Sequence, residues 1–65
     1  MARSLDMVRF QCDQIKRYLA EHPTDNVLFA TTKPDALLED VRGFLSGYDL
    51  TLVADGVKIR SSVNG

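Results

Sequence analysis

The chain has 65 residues, 45% of them apolar and 26% charged, with a formal net charge of −1. That length gives one domain, which buries only about 60% of the surface its unfolded chain exposes, so a deep substrate cavity is not expected. The composition excludes the disordered, fibrous and membrane-spanning classes, and the near-zero charge gives no pull toward nucleic acid or an anionic membrane. The one cysteine, Cys12, rules out an intrachain disulfide, and with His22 it falls short of a metal-ligand set, so neither metal nor cofactor is expected. Residues 1–5 lack the apolar stretch of a secretory signal, from which a cytoplasmic location is expected.

The first 22 residues admit two readings. Leu5, Val8, Cys12, Ile15 and Leu19 recur at spacings of three and four, which suits one long helix. Val8, Phe10 and Cys12 also alternate with Arg9 and Gln11, which suits a short strand up to Cys12 followed by a helix from Asp13 to about His22. The second buries Phe10, whereas the long helix turns Met7 and Phe10 away from the stripe; strand then helix is the reading adopted.

Val27-Leu28-Phe29-Ala30-Thr31 is an apolar run between turn-forming residues and is predicted as a strand, placed centrally. Pro34 then opens a helix whose stripe is Leu37, Val41, Phe44 and Leu45, with Gly47 as its stop and Asp35, Glu39, Asp40 and Arg42 on the solvated side. Leu50-Thr51-Leu52-Val53-Ala54 and Val57-Lys58-Ile59-Arg60-Ser61 flank Asp55-Gly56 and predict a β-hairpin with a type I′ turn, Leu50, Leu52, Val57 and Ile59 sharing its buried face. The predicted order is β-α-β-α-β-β, an α/β two-layer sandwich with two helices on one face of a mixed four-stranded sheet. Only residues 1–4 and 62–65 are expected to be loose.

The order of elements and several residues resemble the TusA/SirA family of small sulfur carriers. The likeness spans most of the chain as a single domain, 1–65. It is carried by Val27-Leu-Phe-Ala-Thr-Thr-Lys-Pro34, Asp40-Val41 and Gly43-Phe44, Gly47-Tyr-Asp-Leu50 and the Asp55-Gly56 hairpin, together with Leu5-Asp6-Met7 ahead of Cys12. The family motif is Cys-Pro-x-Pro; here Cys12 is retained, and Asp13-Gln14-Ile15 follows it without the prolines. The resemblance implies that Cys12 accepts a persulfide from a donor protein and passes it to an acceptor protein, as a carrier and not a self-sufficient enzyme. A thiol at the start of a helix suits that role, because backbone N–H groups and the helix dipole favour an anion there. Lys16 and Arg17 one turn on would add to this and guide docking, whereas the neighbouring carboxylate of Asp13 opposes a second negative charge.

The other reading is a non-catalytic interaction or regulatory module in which Cys12 is a small buried hydrophobe and an exposed sheet face or edge strand, such as residues 57–61, pairs with a second copy or with a partner's strand. Either a monomer or a small homo-oligomer fits it. His22 reads as a helix C-terminal cap or solvated residue, and Arg9, Lys58 and Arg60, which would line up across neighbouring strands, as solvation of an open sheet face. A nucleic-acid-binding domain has only the architecture in its favour.

Overall fold

The computed structural model describes residues 4–62. The chain order is α1 (Leu5–Glu21), β1 (Asn26–Ala30), α2 (Pro34–Phe44), β2 (Tyr48–Val53) and β3 (Gly56–Ser61). The predicted order is therefore corrected at its start. No strand forms over residues 8–11, which lie within α1. Among the described residues the sheet has three strands instead of four and is antiparallel throughout instead of mixed.

Local chemistry and packing together decide for the helix. The side chain of Ser4 caps it, its Oγ accepting from the Met7 N–H at 3.2 Å, and Asp6 adds a negative charge to the first turn. Val8, Cys12 and Leu19 bury the three-and-four stripe, with Ile15 packed beside them. Phe10, which a strand would have buried, is 58% exposed. Residues 1–3 and 63–65, two parts of the ends expected to be loose, lie outside the described residues. Of the rest, Ser4 is the cap, and the Ser62 hydroxyl donates to the Gly47 carbonyl oxygen.

The sheet order is β1-β3-β2. β3 pairs antiparallel with both neighbours, so β1 and β2 run in the same direction, joined by α2 and split by β3. This corrects two placements. β1, expected at the centre, is an outer strand, and residues 57–61, offered as an edge, form the central strand. The first follows from the missing first strand, which would have covered β1, and the second from the pairing of β3 with β1 as well as with β2.

The register sets one face of the sheet against the helices. Val27 stands opposite Ile59 and Phe29 opposite Val57 on one side of β3; Leu50 stands opposite Ile59 and Leu52 opposite Val57 on the other. Leu50, Leu52, Val57 and Ile59 share a face as predicted, although Leu52 lies at its margin and is exposed. Leu37, Val41 and Leu45 of the α2 region complete the core with Val8, Cys12 and Leu19. The opposite face, with Leu28, Lys58, Arg60, Asp49 and Thr51, is exposed.

α2 forms as its residues direct. Pro34 sits in its first turn, where its missing N–H is not required, and Leu37 and Val41 are buried. The outward side carries a weak Arg42–Glu39 pair at 4.0 Å. Gly47 then takes φ +88 in the turn to β2, a conformation that glycine adopts without penalty. Gly43 is different: it lies inside the helix, exposed, and a Cβ there meets nothing within 4 Å. Gly43→Ala is expected to raise stability by about 0.5–1 kcal/mol, read as an increased urea midpoint with unchanged slope.

The hairpin turn is corrected in register. Val53 pairs with Gly56, which leaves Ala54 and Asp55 as the two loop residues. No non-glycine residue among those described has positive φ, so Asp55 does not take the type I′ conformation. Gly56 instead belongs to β3, buried against the backbone of β1. The Asp55 carbonyl oxygen accepts from the Thr31 N–H at 2.9 Å, tying the turn to the end of β1.

Candidate interaction surface

α1 decides where chemistry is possible. Cys12 is the eighth residue of the helix, two turns from Ser4, so the orphan N–H groups of the helix start lie far from its sulfur. The expected position of the thiol at a helix start is thereby corrected. Its exposure is 0%, among Val8, Leu19, Val41 and other core side chains. Burial pushes the Cys12 thiol up from its ordinary value; Lys16 pulls it down less strongly, and Asp13 adds to the rise. The thiol is held neutral at physiological pH. Lys16 is half-buried beside it, and Asp13 and Arg17 are exposed on the helix. The structure thus brings Lys16 and Asp13 electrostatically to Cys12 but does not bring the sulfur to the surface.

A second stripe runs along the same helix. Met7, Gln11, Gln14 and Tyr18 recur at spacings of four, three and four along the flank beside the core stripe, with Gln11 half-buried, and Phe10, four residues before Gln14, stands further round toward solvent. Met7 is 53% exposed and Tyr18 43%. This is an unusual concentration of large apolar side chains on the outside of so small a protein. The available signal was the long-helix reading itself, which turns Met7 and Phe10 outward.

That flank borders the outer strand. α1 leans on α2 and β3, and between α1 and β1 it leaves an open groove of about 640 Å³, lined by Gln11, Gln14, Ile15 and Tyr18 on one side and by the residues of β1 on the other. β1 itself, Asn-Val-Leu-Phe-Ala, has no charge and no proline. Outer strands are ordinarily protected by such residues. Leu28, at the middle of β1, is 48% exposed on the open sheet face.

Tyr18 closes one end of the groove. Its hydroxyl donates to Asp25 Oδ2 at 2.6 Å, and its ring lies 4.5 Å from that of His22, the C-cap residue of α1. His22 thus caps and stacks, as its place before Pro23 suggests. The hydrogen bond to the Asp25 carboxylate is the main cause that holds the Tyr18 phenol above its usual value of 10.0, since the bond requires the protonated hydroxyl. Asp25→Asn is expected to return the Tyr18 ring titration toward 10, followed by NMR of the ring protons; an unchanged titration would mean that the bond does not persist in solution.

Other features offer less. Lys58 and Arg60 lie on the open face of β3, where Arg60 stands opposite Asp49, and Arg9 lies on α1, so the three cations do not form one patch. A second cleft at the start of α2 is lined by Thr31, Thr32, Lys33, Asp40 and Asp55. The Lys33 N–H donates to Thr31 Oγ1 at 3.0 Å, and the two carboxylates set against Lys33 oppose an anion there. Among the described residues no group of His, Cys, Asp or Glu could hold a metal ion, and no helix is long and apolar enough to cross a membrane.

Comparison with family models, with curated proteins and with solved structures gave no match for this chain. The α+β architecture and the α1–β1 surface are the grounds on which its function is read.

Proposed function

We propose that this protein is a non-catalytic interaction module that binds a protein partner through the outer flank of α1 and the adjoining edge of β1, with Cys12 as a core side chain. The observation that carries this reading is the set of exposed apolar side chains on α1, Met7, Phe10 and Tyr18, of which Tyr18 lines a groove against an uncharged outer strand. An edge strand offers main-chain hydrogen bonds to an added strand, and a neighbouring apolar helix flank supplies the area that such bonds lack. Tyr18 combines a large apolar ring with a polar tip, the kind of side chain enriched at interfaces.

Sulfur transfer would require a thiolate that meets a donor protein, whereas burial keeps this sulfur neutral and covered. The neutral surface stripe favours protein over nucleic acid as the partner. A lone unpaired cysteine suits the reducing cytoplasm, where we place the protein. The deciding measurement is alkylation of Cys12 in native and denatured protein, with mass spectrometry after exposure to polysulfide. A protected native thiol that gains no sulfur is the expected result. Fast native alkylation with addition of a sulfur atom would overturn the reading and return Cys12 to the role of persulfide carrier.

A further inference from the structure

Resting on that reading, we infer that the occupant of the α1–β1 surface is a second copy of this chain, joined about a two-fold axis through Leu28 so that two β1 strands pair antiparallel into one six-stranded sheet. Four observations lead to it.

The first is the shape of the edge. A two-fold axis normal to the sheet keeps the helices of both copies on the same face and makes both β1 and α1 antiparallel to their counterparts. Leu28 is the middle residue of β1 and would stand opposite its own copy, with Val27 opposite Phe29 of the second chain on the helix-covered face. Asn26 would stand opposite Ala30, so no charge opposes a like charge across the new pair.

The second is the helix flank. Gln14 lines the groove alongside β1, so an axis through the middle of β1 passes near it. Phe10 and Tyr18 stand four residues before and after Gln14, so antiparallel α1 helices bring Phe10 of each chain alongside Tyr18 of the other, and Gln14 alongside Gln14. The stripe is self-complementary under the operation that pairs the strands.

The third is area. Met7, Phe10, Tyr18 and Leu28 are exposed by 53%, 58%, 43% and 48%, together about two whole large side chains, or roughly 400 Å². A stable interface covers roughly 800 Å² per partner, somewhat over half of it apolar. These four side chains supply most of the apolar share, and Gln11, Gln14 and the strand edge supply a polar remainder.

The fourth is need. A single core in a domain of this size is marginal, and small proteins usually add disulfides, a metal or oligomerisation. The one cysteine removes the first. The other outer strand, β2, carries Asp49 and is less suited to pairing with its own copy.

Sedimentation equilibrium of the whole chain from micromolar to millimolar concentration tests the proposal, with a mass near twice the 7.3 kDa of one chain expected. Leu28→Lys places two ammonium groups against each other at the axis and should weaken self-association roughly a hundredfold or more, with an unchanged far-UV circular dichroism spectrum. Leu28→Cys under oxidised glutathione should form a disulfide-linked dimer, and Thr51→Cys on β2 should not. The melting temperature of the unmodified chain should rise with concentration, a readout independent of any variant. A monomer throughout the range overturns the second copy as occupant. A dimer that Leu28→Cys does not cross-link overturns this interface. Neither failure alters the alkylation of Cys12, which reads the interaction-module assignment by itself.

Discussion

Gly56→Ala is expected to lose about 3 kcal/mol or more, a large fraction of the stability of so small a domain. A Cβ on Gly56 would lie 2.1 Å from the Phe29 carbonyl oxygen and 3.0 Å from the Ala30 Cα, both backbone atoms of β1. No rotamer relieves that contact, so the β1–β3 pair must part where Ala30 faces Gly56. Total stability for a domain of this length is roughly 3–10 kcal/mol, so the loss is a large fraction of it. Urea unfolding followed by circular dichroism measures it. A loss below about 1 kcal/mol would mean that β1 can draw back from β3 at little cost. Gly43→Ala serves as the contrast, since the same added methyl meets open space there.

Native alkylation of Cys12 is expected to be slower than in denatured protein by roughly a hundredfold or more, because a fully covered sulfur is reached only when α1 opens, and that opening costs a few kcal/mol. The pH dependence of stability provides an independent check. The folded-state thiol titrates above its ordinary value of 9.0, with burial as the largest cause, so above that value the unfolded chain releases a proton that the folded chain retains. The resulting stability is present in full below 9.0 and is lost as pH rises through the raised folded value. Cys12→Ala should abolish that part of the decline, leaving the part due to Tyr18, which is shifted in the same direction. Equal alkylation rates in native and denatured protein would place the sulfur at the surface in solution.

If Cys12 is sealed in the core, the α1 surface available to a partner is its other flank, where Met7, Phe10 and Tyr18 stand. One helix thus carries two stripes, the first consumed in folding and the second left over. Met7, Phe10 and Tyr18 on α1 and Leu28 on β1 remain exposed, whereas Val27 and Phe29 of the same strand pack into the core.

The sequence by itself determined α2, the β1 strand and the two hairpin strands with the face they share. Pro34 cannot sit deep in a helix but suits its start, and Leu37, Val41 and Leu45 leave only one apolar face. Leu50, Leu52, Val57 and Ile59 alternate with polar residues and share one face, whereas their pairing, Leu52 with Val57 and Leu50 with Ile59, differs from that of an Asp55-Gly56 turn because Gly56 joins β3. Over residues 8–12 the two periodicities overlap, and three alternating residues are too few to separate a strand from a turn of helix. Only the tertiary structure decided there: a longer helix caps itself on Ser4 and buries Val8, Cys12 and Leu19 together, at the cost of leaving Phe10 in solvent. From that choice followed the strand count, the outer position of β1 and the buried place of Cys12. All three depend on which segments meet across the chain, and the pattern of any one segment does not hold that information.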